Sequence, residues 1–337
     1  MSERNPNFRR RRRVLKQSGL AALAAGLAGC SAITGGDSEN DDTGDDDDAT
    51  GSDSVIVGSQ TFTEQLNLGY FAYHLLNENT DREVIDNTNY GNNSDMAEVY
   101  EAEDPGFHVY YEYMGSAWAS QPPVNEEQIT DPDELHAALE EQLQDRPVQI
   151  TDRTNWQNTW APFGKAAVLE EYGFSSLSDL ADYVNAGNYD VTFALEASYF
   201  GRSDGFEALV DHYGFEEEHV QAWQDAGGIF RLGSGAVTGT AVDQDKADIG
   251  LGYSTSAWIA DIEGDVQVLE DDEGFWPAFH VVGIVREAVA SDAVLTELNK
   301  LPEIVPDAST MRELNGYAGE VGPRTATREY LSSEGYI

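Results

Sequence analysis

The segment VYYEYMGSAW, residues 109–118, places four aromatic side chains within ten positions of a chain whose formal net charge is −43. Aromatic faces carry negative charge density and attract cations, most strongly where water is excluded. If the segment is a strand, Tyr111 and Tyr113 share one face and Tyr110 lies on the other. The three tyrosines therefore cannot all line one site. Burial in an ordinary half-covered sheet is the alternative explanation for each of them.

Signatures of catalysis are missing from the sequence. It contains no G-x-S-x-G, no H-E-x-x-H and no phosphate-binding loop, and GSGAVTG from Gly233 departs from G-x-G-x-x-G by one residue. The six histidines show no ligand spacing on one face. The run LEDDEG, residues 269–274, could form a metal loop, although adjacent acids are expected by chance in so acidic a chain. We predict no catalysis, no cofactor and no metal.

An export signal is predicted at the front of the chain. Five arginines at residues 9–13 precede an apolar run at residues 19–29, which ends at Cys30 in LAGC. The run is much shorter than the roughly 20 residues that span a membrane. The arginines resemble a twin-arginine signal, and LAGC resembles a lipobox, where the new N-terminal cysteine is lipidated. We expect residues 1–30 to form the export signal with its lipobox, and cleavage to occur just before Cys30. A lipid on Cys30 is then expected to hold the protein on the extracellular face of the cell membrane.

Acidic residues dominate the rest of the chain, with 62 Asp and Glu against 19 Lys and Arg in the whole sequence. Residues 31–54 are so acidic and so poor in apolar residues that we expect a disordered tether. The charge excludes nucleic acid as a partner. Acids spread through every segment are typical of adaptation to molar salt, where the Debye length is only about 3 Å.

From residue 55 onward, short β-branched runs alternate with amphipathic helical segments, which predicts an α/β fold. Residues 64–78 are predicted to form a helix with Leu68, Phe71, Ala72 and Leu75 on one face. Strands are predicted at VIVGS, FHVYYEY, VQIT, DVTFAL, GIFRL, ADIGLGY and VQVLE. A further helix is predicted at residues 132–144, and the chain after residue 291 is predicted to be mostly helical.

Seven sequence blocks occur in one order: GSQTFTEQLNLG, YYEYMGSAW, QNTWAP, SDLADY, GRSDGFEALVDHYGF, DIGLGYSTSAW and LEDDEGFWPAF. Together they resemble the solute-binding proteins of quaternary-amine ABC importers, the glycine betaine, choline and carnitine family. The resemblance implies a type II periplasmic-binding-protein fold, with two α/β lobes joined by two crossing strands and a ligand cleft between them. It implies crossings near residues 153–158 and 252–255. Lobe I would comprise residues 55–157 and 255–337, and lobe II residues 158–254.

The resemblance also implies an aromatic cage. A trimethylammonium group has no N–H to donate, so aromatic faces suit it better than hydrogen-bond acceptors do. The family pattern places Tyr113, Trp160 and Tyr253 in this cage, with Phe230 as the best candidate for a fourth wall.

At the polar end of the ligand, the family pattern places Arg202, Ser116 and Gln60. Arg202 could bind a ligand carboxylate through two parallel hydrogen bonds; an ion pair with a neighbouring acid is the alternative. Gln60 stands where the family commonly has lysine, which weakens the case for betaine over choline.

We therefore predict a lipid-anchored binding protein that delivers a quaternary ammonium solute, such as glycine betaine or choline, to an ABC permease and its ATPase subunit. One alternative is a protein of the same fold for another organic cation, such as a polyamine. A polyamine site requires carboxylates beside the aromatic residues, and the sequence blocks that supply the cage contain few acidic residues apart from Glu112. The other alternative is a secreted hydrolase that uses Ser254 or Ser256, for which the sequence offers no matched base.

Overall fold

The computed structural model describes residues 54–125, 128–200, 205–233, 235–262 and 264–337. The predictions for the export signal, Cys30, most of the acidic tether and Arg202 lie outside these residues. Within the described ranges, no helix combines the length and the apolar character needed to cross a membrane.

Ten strands are described: β1 (Ser54–Gln60), β2 (Glu83–Gly91), β3 (Val109–Tyr113), β4 (Val148–Ile150), β5 (Trp160–Lys165), β6 (Phe193–Glu196), β7 (Ile229–Leu232), β8 (Ile249–Tyr253), β9 (Val266–Val268) and β10 (Val281–Arg286). They form two five-stranded sheets with the orders β2-β1-β3-β10-β4 and β7-β6-β8-β5-β9. In each sheet three parallel strands are followed by two antiparallel pairings. The fold is the two-lobe α/β architecture that the sequence predicts.

Helices cover the sheets: α1 (Thr63–Asn79), α2 (Glu98–Glu101), α3 (Met114–Ser120), α4 (Pro132–Leu143), α5 (Ala166–Tyr172), α6 (Leu177–Asn185), α7 (Phe206–His212), α8 (Glu217–Asp225), α9 (Gly235–Asp243), α10 (Asp292–Leu298), α11 (Leu301–Ile304), α12 (Ala308–Val321) and α13 (Pro323–Glu334). The predicted apolar face of α1 is confirmed, because its four predicted residues are all fully buried. Asp131 caps α4 by accepting the backbone N–H groups of Asp133 and Glu134, each at 2.9 Å.

Strand β3 is buried on both faces, as expected for a strand inside a covered sheet. Tyr111 and Tyr113 pack into the cluster beneath α1 and the C-terminal helices. Tyr110 packs into the cluster on the opposite face. The predicted alternation along this strand is therefore confirmed.

The chain passes between the sheets at two adjacent segments. Gln157 forms an isolated antiparallel bridge with His280, and the Asn158 N–H donates to the Phe279 carbonyl at 3.1 Å. The second passage therefore lies near residue 280 and not near residues 252–255. The prediction placed it too early because β9, which follows the GYSTS block, still belongs to the second sheet, where Val268 pairs with Phe163 of β5.

Candidate ligand-binding site

A cavity of about 670 Å³ lies between the two sheets, beside the crossing segments. This volume is within the usual range for small-molecule sites. We call it the aromatic cavity; its lining residues are Phe62, Thr63, Glu64, Tyr113, Ser116, Asn158, Thr159, Trp160, Tyr253, Thr255, Ser256, Ala257, Trp258, Phe279 and Asn315. Both sheets contribute side chains to it.

The second sheet contributes a stacked pair of rings. Trp160 is the first residue of β5 and Tyr253 the last residue of β8, and the two are register partners on these antiparallel strands. Cross-strand partners lie close together on one face, and the two ring centroids are 4.4 Å apart with an interplanar angle of 25°. Trp160 is buried, whereas Tyr253 is 47% exposed. The pair therefore presents one aromatic surface to the cavity.

Trp258 lies beside this pair because residue 252 is glycine. A Cβ atom at Gly252 would come within 2.4 Å of the Trp258 indole ring. The short 3₁₀ turn at Ala257–Asp261 carries the tryptophan over β8. The glycine of GYSTS thus makes room for an aromatic residue six positions later in the same block.

The first sheet contributes the facing aromatics. Tyr113 ends β3, and its ring stacks with Phe62 at a centroid distance of 6.3 Å and an interplanar angle of 12°. Phe62 is 42% exposed. Phe279 enters beside them because Gly115 has no side chain; a Cβ there would lie 2.9 Å from the Phe279 ring. This close approach gives the glycine of the YMGS segment a physical role.

The structure brings four of the predicted residues together, since Tyr113, Ser116, Trp160 and Tyr253 all line the aromatic cavity. Phe230 does not line it. Its strand, β7, is at the edge of the second sheet, and its ring packs against the cluster around Phe163 and Val242.

Gln60 also lies outside the lining, contrary to its predicted place at the polar end of the ligand. It is buried behind β3, where its amide nitrogen lies 3.5 Å from both carboxylate oxygens of Glu112. Position 60 therefore faces an internal acid and not the cavity.

Eleven lining residues were not predicted as ligand contacts, among them Phe62, Glu64, Asn158, Trp258, Phe279 and Asn315. The first five lie inside sequence blocks that carry the family resemblance, so block membership was an available signal. Asn315 lies on α12, outside every block, and no local pattern marks it.

A buried carboxylate lies in the lining. Glu64 is 3% exposed and accepts hydrogen bonds from the Tyr113 hydroxyl at 2.7 Å and the Asn315 amide at 2.8 Å. Burial raises the pKa of the Glu64 carboxyl above its ordinary value, while its hydrogen-bond donors, among them Thr255, act in the opposite direction. Burial likewise holds the pKa of the Tyr113 hydroxyl well above its ordinary range.

Two polar atoms of the lining have no hydrogen-bond partner among the described residues, the Asn158 Oδ1 and the Thr159 Oγ1. Both are buried. Unsatisfied buried polar atoms are rare in folded proteins and cost free energy. Their position at the crossing segment is suited to contact with a bound molecule.

Two alternatives raised by the sequence, a metal loop at LEDDEG and a catalytic Ser254, involve side chains that form hydrogen bonds within the fold. In the LEDDEG segment, Asp271 accepts the backbone N–H groups of Phe275 at 2.8 Å and Trp276 at 3.0 Å, and the Tyr213 hydroxyl, so it orders its own loop. Ser254 donates to the Gln157 carbonyl at 2.6 Å and so joins β8 to the crossing segment.

Known proteins resemble this chain over most of its length. Residues 53–333 match the family described as the substrate binding domain of ABC-type glycine betaine transport system. A chemotactic signal transduction system substrate-binding protein, CosB of Halobacterium salinarum, is 43% identical over 285 residues, which cover 84% of each chain. The carnitine transport binding protein OpuCC of Listeria monocytogenes is 26% identical over 226 residues, 64% of this chain and 66% of that protein.

A solved structure shares the fold. The structure described as a glycine betaine/carnitine/choline ABC transporter superposes with a TM-score of 0.70 at 21% identity, covering 84% of this chain and 99% of that one. These relatives are solute-binding proteins and not enzymes. The chain belongs to the family of substrate-binding domains of ABC-type glycine betaine transport systems.

Proposed function

We propose that the protein captures a quaternary ammonium solute, such as glycine betaine or choline, in the aromatic cavity. The observation that carries this proposal is the convergence of rings from both sheets, Trp160 and Tyr253 from one and Tyr113 from the other, on one cavity. A methylated ammonium has an apolar surface and a delocalised charge, and aromatic faces match both properties.

Closure of the two lobes would complete the cage. Phe62 and Tyr253 are each more than two-fifths exposed, and they approach the cavity from opposite sheets. A ligand that contacts both would favour the arrangement in which both are buried, because it has more contacts there. Rocking about the paired crossing segments at Gln157 and His280 would bring the sheets together.

Arg202 and Ser116 are proposed to recognise the polar end of the ligand. Ser116 lies on α3 and lines the cavity. If Arg202 binds a carboxylate, Arg202→Ala should weaken glycine betaine by about 1 to 3 kcal/mol and affect choline much less, because choline carries a hydroxyl there. Calorimetric titration with both ligands tests this role, and equal losses would exclude it.

The loaded protein is proposed to deliver its ligand to an ABC permease from the extracellular face of the cell membrane, held by a lipid on Cys30. Replacing Cys30 with Ala should release the protein into the medium, since its predicted anchor would be missing. Fractionation of cells and medium measures this. Persistent membrane association of the variant would exclude the lipid anchor.

A second candidate function is supported by the relative at 43% identity, whose name places it in a chemotactic signal transduction system. In that case the loaded protein would contact a membrane receptor instead of a permease. Measuring both radiolabelled choline uptake and swimming toward choline in cells that lack this protein separates the two roles. Loss of uptake supports import, and loss of the swimming response alone supports signalling.

Isothermal titration in molar salt against glycine betaine, choline, carnitine, proline betaine and spermidine tests the binding proposal. We expect the quaternary amines to bind, and Tyr113→Ala or Trp160→Ala to weaken them by about 1 to 3 kcal/mol through loss of an aromatic face. Phe230→Ala is the matched control, because Phe230 packs outside the cavity. Tight binding of spermidine alone, or unchanged binding in the Tyr113 variant, would refute the proposal.

A further inference from the structure

Among the described lining residues of the aromatic cavity, Glu64 is the one carboxylate, and it lies at the start of α1. Glu64 follows Thr63 in the first turn of that helix, and its side chain is 3% exposed. Its two oxygens accept from separate donors, the Tyr113 hydroxyl and the Asn315 amide. The carboxylate is therefore fixed in place at the hydroxyl end of the Tyr113 side chain.

Among the residues that the structure describes, the groups that face Glu64 provide no positive charge. Tyr113 faces it from β3, Asn315 from α12, and Asn158 and Thr255 from the segments that flank β5 and β8. Of these four, only tyrosine titrates, and its raised pKa keeps it protonated.

The cationic side chain of α12, Arg312, binds a backbone carbonyl and not Glu64. Arg312 lies one turn before Asn315 on that helix, and its Nε donates to the Ser254 carbonyl at 2.6 Å. On β3, the charged neighbour of Tyr113 is Glu112, whose carboxylate is bound by the Tyr113 backbone N–H and lies near Gln60. Neither side chain supplies Glu64 with a counter-ion.

A buried carboxylate without a cation is costly, and proteins usually relieve that cost by pairing or by protonation. Here the ionised form is favoured only by neutral donors. A hydroxyl that donates to a carboxylate also gains electron density, which strengthens the attraction of the Tyr113 ring for a cation.

We propose that Glu64 is the counter-charge of the bound cation, so that a cationic ligand entering the aromatic cavity releases a proton from this side chain. The inference rests on the proposed function of the cavity as a cation site. It names a specificity determinant that favours a ligand with net positive charge. A neutral ligand of the same shape gains nothing from Glu64 and leaves its proton in place.

The sign of the pH dependence follows. A cation beside Glu64 favours the ionised form and so lowers the pKa that burial has raised in the free protein. Between the pKa of the bound and of the free protein, binding releases a proton. Affinity for a cation should therefore rise with pH through that window, by at most about tenfold per pH unit.

The experiment is calorimetric titration of the mature protein with choline chloride in molar potassium chloride, from pH 5 to 7.5. At each pH it is run in two buffers that hold that pH and differ in ionisation enthalpy. The dependence of the observed heat on the buffer gives the number of protons released. We expect release of up to one proton and an affinity that rises with pH. Glu64→Gln should abolish the release and weaken choline at least about tenfold at the upper pH.

Glu112→Gln is the matched control, because Glu112 is also a buried acid next to Tyr113 but does not line the cavity. This variant should still release the proton. Release that survives Glu64→Gln, or that disappears in Glu112→Gln, assigns the proton elsewhere and overturns the proposal.

The parent protein alone already separates the two proposals, even if Glu64→Gln does not fold. Choline binding without proton release, at an affinity independent of pH, refutes the role of Glu64 and leaves the cation site intact. Failure of the parent to bind any quaternary amine refutes both.

Discussion

Gln60 and Phe62 are two positions apart, yet only Phe62 reaches the aromatic cavity. Gln60 ends β1 and points at Glu112, where the amide lies at the limit of hydrogen bonding, 3.5 Å from each oxygen. A lysine at position 60 would bring a positive charge to an internal acid. A substitution at position 60 is therefore expected to change the ionisation of Glu112, and to affect the ligand only indirectly.

The pH dependence of stability follows from this buried acid. Burial raises the pKa of Glu112 from 4.5 to about 7. The native protein therefore keeps a proton that the unfolded chain loses, and its stability falls as pH rises through that interval. Glu112→Gln should reduce the difference in free energy of unfolding between pH 5 and 7.5, measured with urea in molar salt, and the exposed Glu141→Gln should not. Equal differences in both variants would contradict the prediction.

Sequence reasoning predicted the residues at strand ends better than those that approach from elsewhere. Tyr113 and Tyr253 end strands that the sequence predicts, β3 and β8. Trp160 begins β5, which the sequence did not predict, and its place at the cavity came from the family block alone. Asn315 reaches Glu64 from a helix 251 positions away, and no local pattern encodes that contact. Phe230 lies outside the described lining because its strand, β7, is at the edge of the second sheet, a position that the sequence does not reveal.

At the scale of elements, the cavity depends on close packing of strands and turns. Three strands were not predicted, β2, β5 and β10. β2 is polar and largely exposed at a sheet edge, and β5 contains Pro162, which cannot donate to the ladder. In β8 the alternation of glycine with apolar residues predicts the strand. It does not reveal that the absence of a side chain at Gly252 makes room for the Trp258 ring.

A pair of glycine substitutions tests that packing. Gly252→Ala would place a Cβ within 2.4 Å of the Trp258 ring, so we expect a loss of about 1 to 3 kcal/mol in stability and weaker binding of quaternary amines. Gly319→Ala is the control, because Gly319 lies in α12 with nothing near its Cβ position, and it should stabilise by roughly 0.5 to 1 kcal/mol. Urea unfolding measures both. A Gly252 variant as stable as the parent would contradict the packing argument.

At the scale of the whole molecule, charge dominates behaviour in solution. The chain carries a formal net charge of −43, and its acids repel one another over about 10 Å at 0.1 M salt but only about 3 Å at 1 M. We expect the melting temperature to fall steadily as potassium chloride is lowered from molar to tens of millimolar. A melting temperature unchanged across this range would contradict the prediction. Sucrose at matched osmolality is the control, since it does not screen charge.

The positions of the two crossing segments in the sequence also determine the order in which the two sheets can fold during synthesis. Every strand of the second sheet lies between Trp160 and Val268, so that sheet is complete on the nascent chain while β10 is still unsynthesised. The first sheet cannot be completed at that stage, because the edge of β3 that pairs with β10 stays unpaired until β10 has been synthesised. An open edge invites wrong pairing. Chains truncated after residue 278 and released from the ribosome should therefore yield a protease-resistant second lobe beside a first lobe that is still digested, and the reverse pattern would exclude this order.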